Sequence, residues 1–241
     1  MNKILLAAAL LLIGGVIPMH ADQTNTETKD RVQTATAALH TLTSGFDRGI
    51  PNEVYKGAKC IAVVPRMLKG GFIVTGKHGR GVASCRLPDG SWSTPAFFTI
   101  SGGSWGIQAG IESVDLVMMV MNDEGARHLL HDKFQIGGSA SGAVGPWGRY
   151  AAAGVDWKLG AQILTYSRSR GLFGGVDLSG AWVRPDRDST TAFYGKDVTV
   201  NALLTGQVPA PPEAKQFTAE VAHANTQARD SQTTNNEAEA R

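Results

Sequence analysis

Between residues 60 and 183 the chain is cut into short runs by glycine and by turn signals such as Pro88-Asp89-Gly90. Runs at 60–64, 72–75, 81–87, 92–100 and 106–112 have strand length and composition, and 158–169 and 176–183 continue the pattern. The 29 glycines of the 241-residue chain fall inside the runs as well as between them. Glycine within a strand marks a bend, a bulge or a close backbone approach. The pattern predicts a single α+β domain, with a curved antiparallel β-sheet or barrel and peripheral short helices. Residues 115–121 are almost unbroken in apolar character, as expected for a strand buried on both faces. Pro65 is expected to end the strand at 60–64, leaving 66–71 as a turn-rich connection.

Ahead of the sheet, Val32, Ala35, Leu39, Leu42 and Phe46 recur at steps of three and four, which predicts an amphipathic helix over 29–46. Its polar face is threonine rather than Lys or Arg, so docking on the body is favoured over lying in a membrane interface. Shorter helices are expected at 53–58, 125–134 and 198–204.

Residues 1–21 follow the pattern of a secretory signal peptide. Lys3 precedes an apolar run at 4–17, and Pro18 precedes a cleavage-like Met19-His20-Ala21. Cleavage is expected after Ala21, giving a periplasmic or secreted protein without an integral membrane segment. The body, 22–206, is long enough to bury one core. Residues 22–28 are polar and expected to be disordered, and 207–241 read as a disordered polar tail with at most a weak helix near 214–228. The 23 Lys and Arg nearly balance the 21 Asp and Glu. That balance argues against nucleic acid as a partner, which would call for a basic stripe.

The two cysteines, Cys60 and Cys85, each lie on a predicted strand. In an oxidising compartment they read first as one disulfide; two buried reduced thiols are the alternative. No metal site follows from them. His128 and His131 are three apart on a predicted helix beside Asp132, with no third ligand evident. Gly102-Gly103-Ser104-Trp105-Gly106 spells the G-x-S-x-G of a serine hydrolase. That elbow needs a helix after its strand, however, and 107–112 alternate like another strand. No catalytic group and no cofactor are assigned.

Residues 165–175, Thr-Tyr-Ser-Arg-Ser-Arg-Gly-Leu-Phe-Gly-Gly, alternate and then turn. Tyr166, Arg168 and Arg170 share one strand face beside a turn bearing Leu172 and Phe173. This is either a solvated hairpin or an edge that faces anions and lipid. Further cations stand beside glycines or at strand ends, among them Lys69, Lys77 and Arg80. Glycine lets backbone N–H groups approach an anion, and arginine can fork two phosphate oxygens.

The ordered series 58–65, Lys69-Gly70-Gly71-Phe72, Gly79-Arg80-Gly81-Val82, Trp92-Ser93-x-Pro95, 106–110 and 166–175 resembles the SYLF domain family. The likeness spans about 36–206. It implies a non-enzymatic phospholipid-binding module, recognising phosphoinositides or phosphatidic acid in eukaryotic members, and actin binding in yeast relatives. Joined to the pattern of cations beside glycines, it makes Lys69, Lys77, Arg80, Arg168 and Arg170 the candidate lipid-binding residues. In an exported protein the expected partners are anionic phospholipids of a membrane surface. A protein partner in the cell envelope is the alternative.

Overall fold

The computed structural model of the chain describes residues 19–44, 49–71, 74–105, 110–130, 133–146, 161–169, 172–174 and 176–239. The centre is a four-stranded antiparallel unit of β1 (Cys60–Gly71), β2 (Val74–Cys85), β3 (Ala96–Trp105) and β4 (Gly110–Val120). Its spatial order, β4-β1-β2-β3, is that of a Greek key. Past β3 come β9 (Trp182–Pro185) and then β5 (Phe134–Gln135), while β7 (Ile163–Ser169) lies past β4. Two short strands complete the sheet. β6 (Gly142–Val144) pairs with β7 in parallel and β8 (Leu172–Gly174) pairs with it antiparallel. The result is a curled, mixed half-barrel rather than a wholly antiparallel one.

Both faces of the sheet are buried over 60–65 of β1 and 116–120 of β4, and there the two strands carry apolar residues without interruption. Cys60, Ala62 and Val64 of β1 and Leu116, Met118 and Val120 of β4 enter the concave core, closed by Leu129 of α3 (Asp123–Leu130) and by Leu203 and Leu204 of α5 (Val200–Leu204). Ile61, Val63, Val117 and Met119 face the other way, under a helical layer. That layer is built from α1 (Met19–Thr43), α2 (Asn52–Gly57), α4 (Arg187–Tyr194) and α6 (Pro212–Glu239). Val32, Ala35, Leu39 and Leu42 of α1 are all buried in it, so the amphipathic helix is docked. Phe46 lies outside the described residues. Cys60 and Cys85 are register partners at the start of β1 and the end of β2, and they form a disulfide.

Five expectations are corrected. The runs at 72–75 and 81–87 are not two strands about a turn, because β2 passes unbroken through 76–80, paired with β3 throughout. Pro65 does not end β1, which continues to Gly71 through a bulge that shifts its register with both neighbours. A bulge accommodates proline because the ladder there needs no N–H, and the next residue, Arg66, takes φ 51°. Helix α1 starts at Met19, well before 29, because Thr28 is buried and the Asn25 amide donates to the Ala192 carbonyl. The stretch expected as a disordered tail carries α6, which buries Ala214, Phe217, Val221 and Ala224 against α1 and α2. Finally, the run at 176–183 is not one strand. Val176 and Leu178 plug the concave core, and only Trp182 begins β9.

Candidate functional site

The predicted cations fall on both faces. Arg80 is on the helix-side face of β2, within 3.9 Å of Glu27 on α1. Arg66 holds the neighbouring stretch of the same helix, its guanidinium donating to Asp30 at 2.7 Å and to Thr34. The Arg66 backbone N–H donates to the Asp115 carboxylate, and Asp115 stands in register with Arg168 of β7. Arg168 shares its face with Tyr166, as the alternation requires, and Tyr166 is fully buried. Arg170 lies outside the described residues, as does Arg149.

Lys69 and Lys77 are direct cross-strand partners on the concave side. They differ in environment. Lys77 is only 7% exposed and donates from Nζ to the Asp177 carbonyl, whereas Lys69 is half-buried. Burial lowers the Lys77 pKa, Asp177 partly offsets this, and Lys69 adds to the lowering. Like charges directly opposite on a sheet are unfavourable, a cost that Glu112, the partner of Lys69 on β4, offsets in part.

One end of the half-barrel is unlike the rest. Beyond Asp30 and Glu27, which tie α1 down, the last residues of β1 and the first of β2 and β4 run on without cover from the described helices. Leu68 is in register with His78 and Ser113, and Gly70 with Gly76 and Ile111. Leu68 and Ile111 are therefore diagonal neighbours on one face, 53% and 81% exposed. The β7–β8 hairpin points toward the same end, and Leu172 on it is 72% exposed. The sequence reading missed Leu68 and Ile111. Each follows its strand's alternation, and nothing in the local pattern says that the helical layer stops short of them.

Glycines along β2 separate packing from exposure. A Cβ at Gly81 would lie 2.5 Å from the Val63 carbonyl and 2.6 Å from the Phe98 ring, so the fold demands glycine there. A Cβ at Gly76 would meet only the Gly70 carbonyl, at 3.8 Å. Packing leaves position 76 free.

The remaining motifs are spread out. Ser104 lies within β3 in register with Thr75, and the next described element is another strand, β4, not the helix that a nucleophile elbow requires. His128 on α3 rests 5.8 Å from the Phe134 ring, while His131 and Asp132 lie outside the described residues. Among the described residues no three His, Cys, Asp or Glu side chains gather as metal ligands, and no helix is long and apolar enough to cross a membrane.

Comparison with known proteins agrees with the turn motifs. Residues 101–224 match the family model described as Ysc84, Las17-binding protein actin regulator. SH3 domain-containing YSC84-like protein 1 of Homo sapiens is 36% identical over 178 residues, 73% of this chain and 52% of that protein. The protein of the same name from Rattus norvegicus matches to the same extent. Protein YSC84 of Saccharomyces cerevisiae is 36% identical over 173 residues, and LAS seventeen-binding protein 3 of that yeast is 35% identical over 171. The chain spans about half the length of the mammalian relatives and 37% of the yeast ones. With the family model matching half its length and its motifs falling in the family's order, the chain belongs to the Ysc84, or SYLF-domain, family.

Proposed function

We propose that this chain is an exported, non-enzymatic module that binds anionic phospholipid surfaces. What carries the reading is the set of cations on the half of the sheet leading to its uncovered end: Arg66, Lys69, Arg80 and Arg168. The exposed Arg66–Asp30 and Arg80–Glu27 pairs cost little to open. Each base brought to an anionic bilayer contributes about 1 kcal/mol, so a few together make a reversible binder that salt loosens. Lys77 belongs to the support of this surface, because its ammonium is engaged by the Asp177 carbonyl. The signal-like residues 1–21 and the Cys60–Cys85 disulfide support export, since disulfides persist in oxidising compartments.

Vesicle co-sedimentation tests the reading. Binding is expected to phosphatidylcholine vesicles containing phosphatidylglycerol, falling as salt rises. Equal binding to neutral and anionic vesicles at moderate salt overturns it. The family's description as an actin regulator, and the relatives named for Las17 binding, favour a protein-binding module as the second reading. Sedimentation with actin filaments but not with anionic vesicles would decide for that one.

A further inference from the structure

We infer that the uncovered end of the half-barrel enters the bilayer directly, with Leu68, Ile111 and Leu172 as the side chains that leave water. The inference rests on the lipid-binding reading and adds the contact surface and its orientation. Helix α1 is the obvious rival as the membrane element, but its apolar stripe is already spent on the core. The exposed large apolar residues of the described chain are four, Leu68, Ile111, Val144 and Leu172. Three of them, Leu68, Ile111 and Leu172, stand at this one end, whereas Val144, in register with Thr165 and through it with Met118 and Ala62, lies toward the disulfide end. Scattered exposed apolar residues are ordinary; three of four gathered at one end of a sheet whose central strands are buried on both faces are not.

The surroundings favour lipid over a second copy of the chain. Arg66 and Lys69 flank Leu68 in sequence, and Arg168 is two residues from the β7–β8 turn. A two-fold contact through this end would bring two copies of this cation-bearing patch into one interface. A bilayer with anionic headgroups meets the cations and takes up the apolar tips together. The open space at Gly76 fits the same picture, because the fold itself does not require glycine there.

The test uses the full chain with a single new cysteine at Ile111, carrying an environment-sensitive fluorophore; the native cysteines are joined to each other. A control label replaces Lys215 on the exposed side of α6. Phosphatidylcholine vesicles with phosphatidylglycerol are expected to shift the Ile111 probe to the blue and leave the Lys215 probe unmoved. Leu68→Asp combined with Ile111→Asp should weaken vesicle affinity at least tenfold without lowering Tm, and Gly76→Trp should strengthen it. Wild-type binding with an unshifted Ile111 probe overturns this face while leaving the lipid reading intact. A dimer of the wild type that the double Asp variant abolishes also overturns it. Absence of wild-type binding to anionic vesicles removes the lipid reading itself, and this surface with it.

Discussion

Arg31 and Asp186 are 155 residues apart in the chain and 3.0 Å apart in the fold, with side chains 8% and 10% exposed. Asp186 caps α4, accepting from the Ser189 backbone N–H and hydroxyl, and Arg31 reaches the same carboxylate from α1 while lying over the Phe97 ring. Burial pushes the Asp186 carboxyl up, but the Ser189 hydrogen bonds and the Arg31 charge outweigh it and hold the group below its ordinary range. Its contribution to stability is therefore present above the unfolded value, near 4, and is lost as pH falls through the lower folded value. Arg31→Met, which keeps the packing volume and strands the carboxylate, is expected to cost about 2–4 kcal/mol at neutral pH. The gap in Tm between the two proteins should narrow as pH falls below about 4 and close only once pH has passed through the lower folded value of the wild type, where Asp186 is neutral in both. A gap that stays constant from pH 7 to pH 3 would contradict this account. In the sequence Arg31 is only one polar position of the expected helix over 29–46, and its interior role could not be read there. Nothing local marks a partner 155 residues downstream.

Among the elements, α6 is the instructive case. Its composition is that of a disordered tail, yet Ala214, Phe217, Val221 and Ala224 fall at steps of three and four and are all buried. The helical period was legible in those positions, but averaging over a polar segment hid it, because two of the four residues are alanine. Their burial depends on the groove offered by α1 and α2, a tertiary context that sequence alone does not display. Pro65 shows the converse: a strong local stop signal was overridden by a bulge within β1. The alternating runs, which need only short-range pattern, were read at nearly the right places, except that 72–75 and 81–87 belong to one strand, β2, that passes through 76–80 without a turn. For the tail helix the sharp expectation is at Phe217, which is fully buried. Phe217→Ala should destabilise the protein by about 3–5 kcal/mol through lost burial and the cavity left behind. Exposed Thr226→Ala, further along the same helix, should change stability by less than about 0.5 kcal/mol. Similar denaturation midpoints for the two variants would mean that α6 does not pack on the body in solution.

Across the whole molecule the half-barrel has two unlike ends. At one, Cys60 and Cys85 join β1 to β2, and the Arg86 guanidinium donates to the Ala58 carbonyl while stacking 4.7 Å from the Trp92 ring. At the other, β1, β2 and β4 run past the helical layer and carry Leu68 and Ile111 into solvent. Sequence reasoning found the cysteine pair and the glycine-marked cations but not their separation along the strands, because pairing register is a property of the assembled sheet. The separation has a measurable consequence. Residues 60 and 85 close a loop with a sequence separation of 25, which on the chain-entropy model stabilises the fold by about 3.5 kcal/mol. Replacing both cysteines by alanine should therefore lower Tm by roughly 7–14 °C, at about 2–4 °C per kcal/mol for a domain of this size. Below that lowered midpoint the fold stays intact, and the uncovered end lies at the far end of β1 from the lost bridge. Affinity for anionic vesicles should then match the wild type within about a factor of two, or 0.4 kcal/mol. Lower stability with unchanged vesicle binding is the signature of a staple at one end and a contact surface at the other. A parallel loss of both in protein that circular dichroism reports as folded would instead tie the disulfide to the binding surface itself.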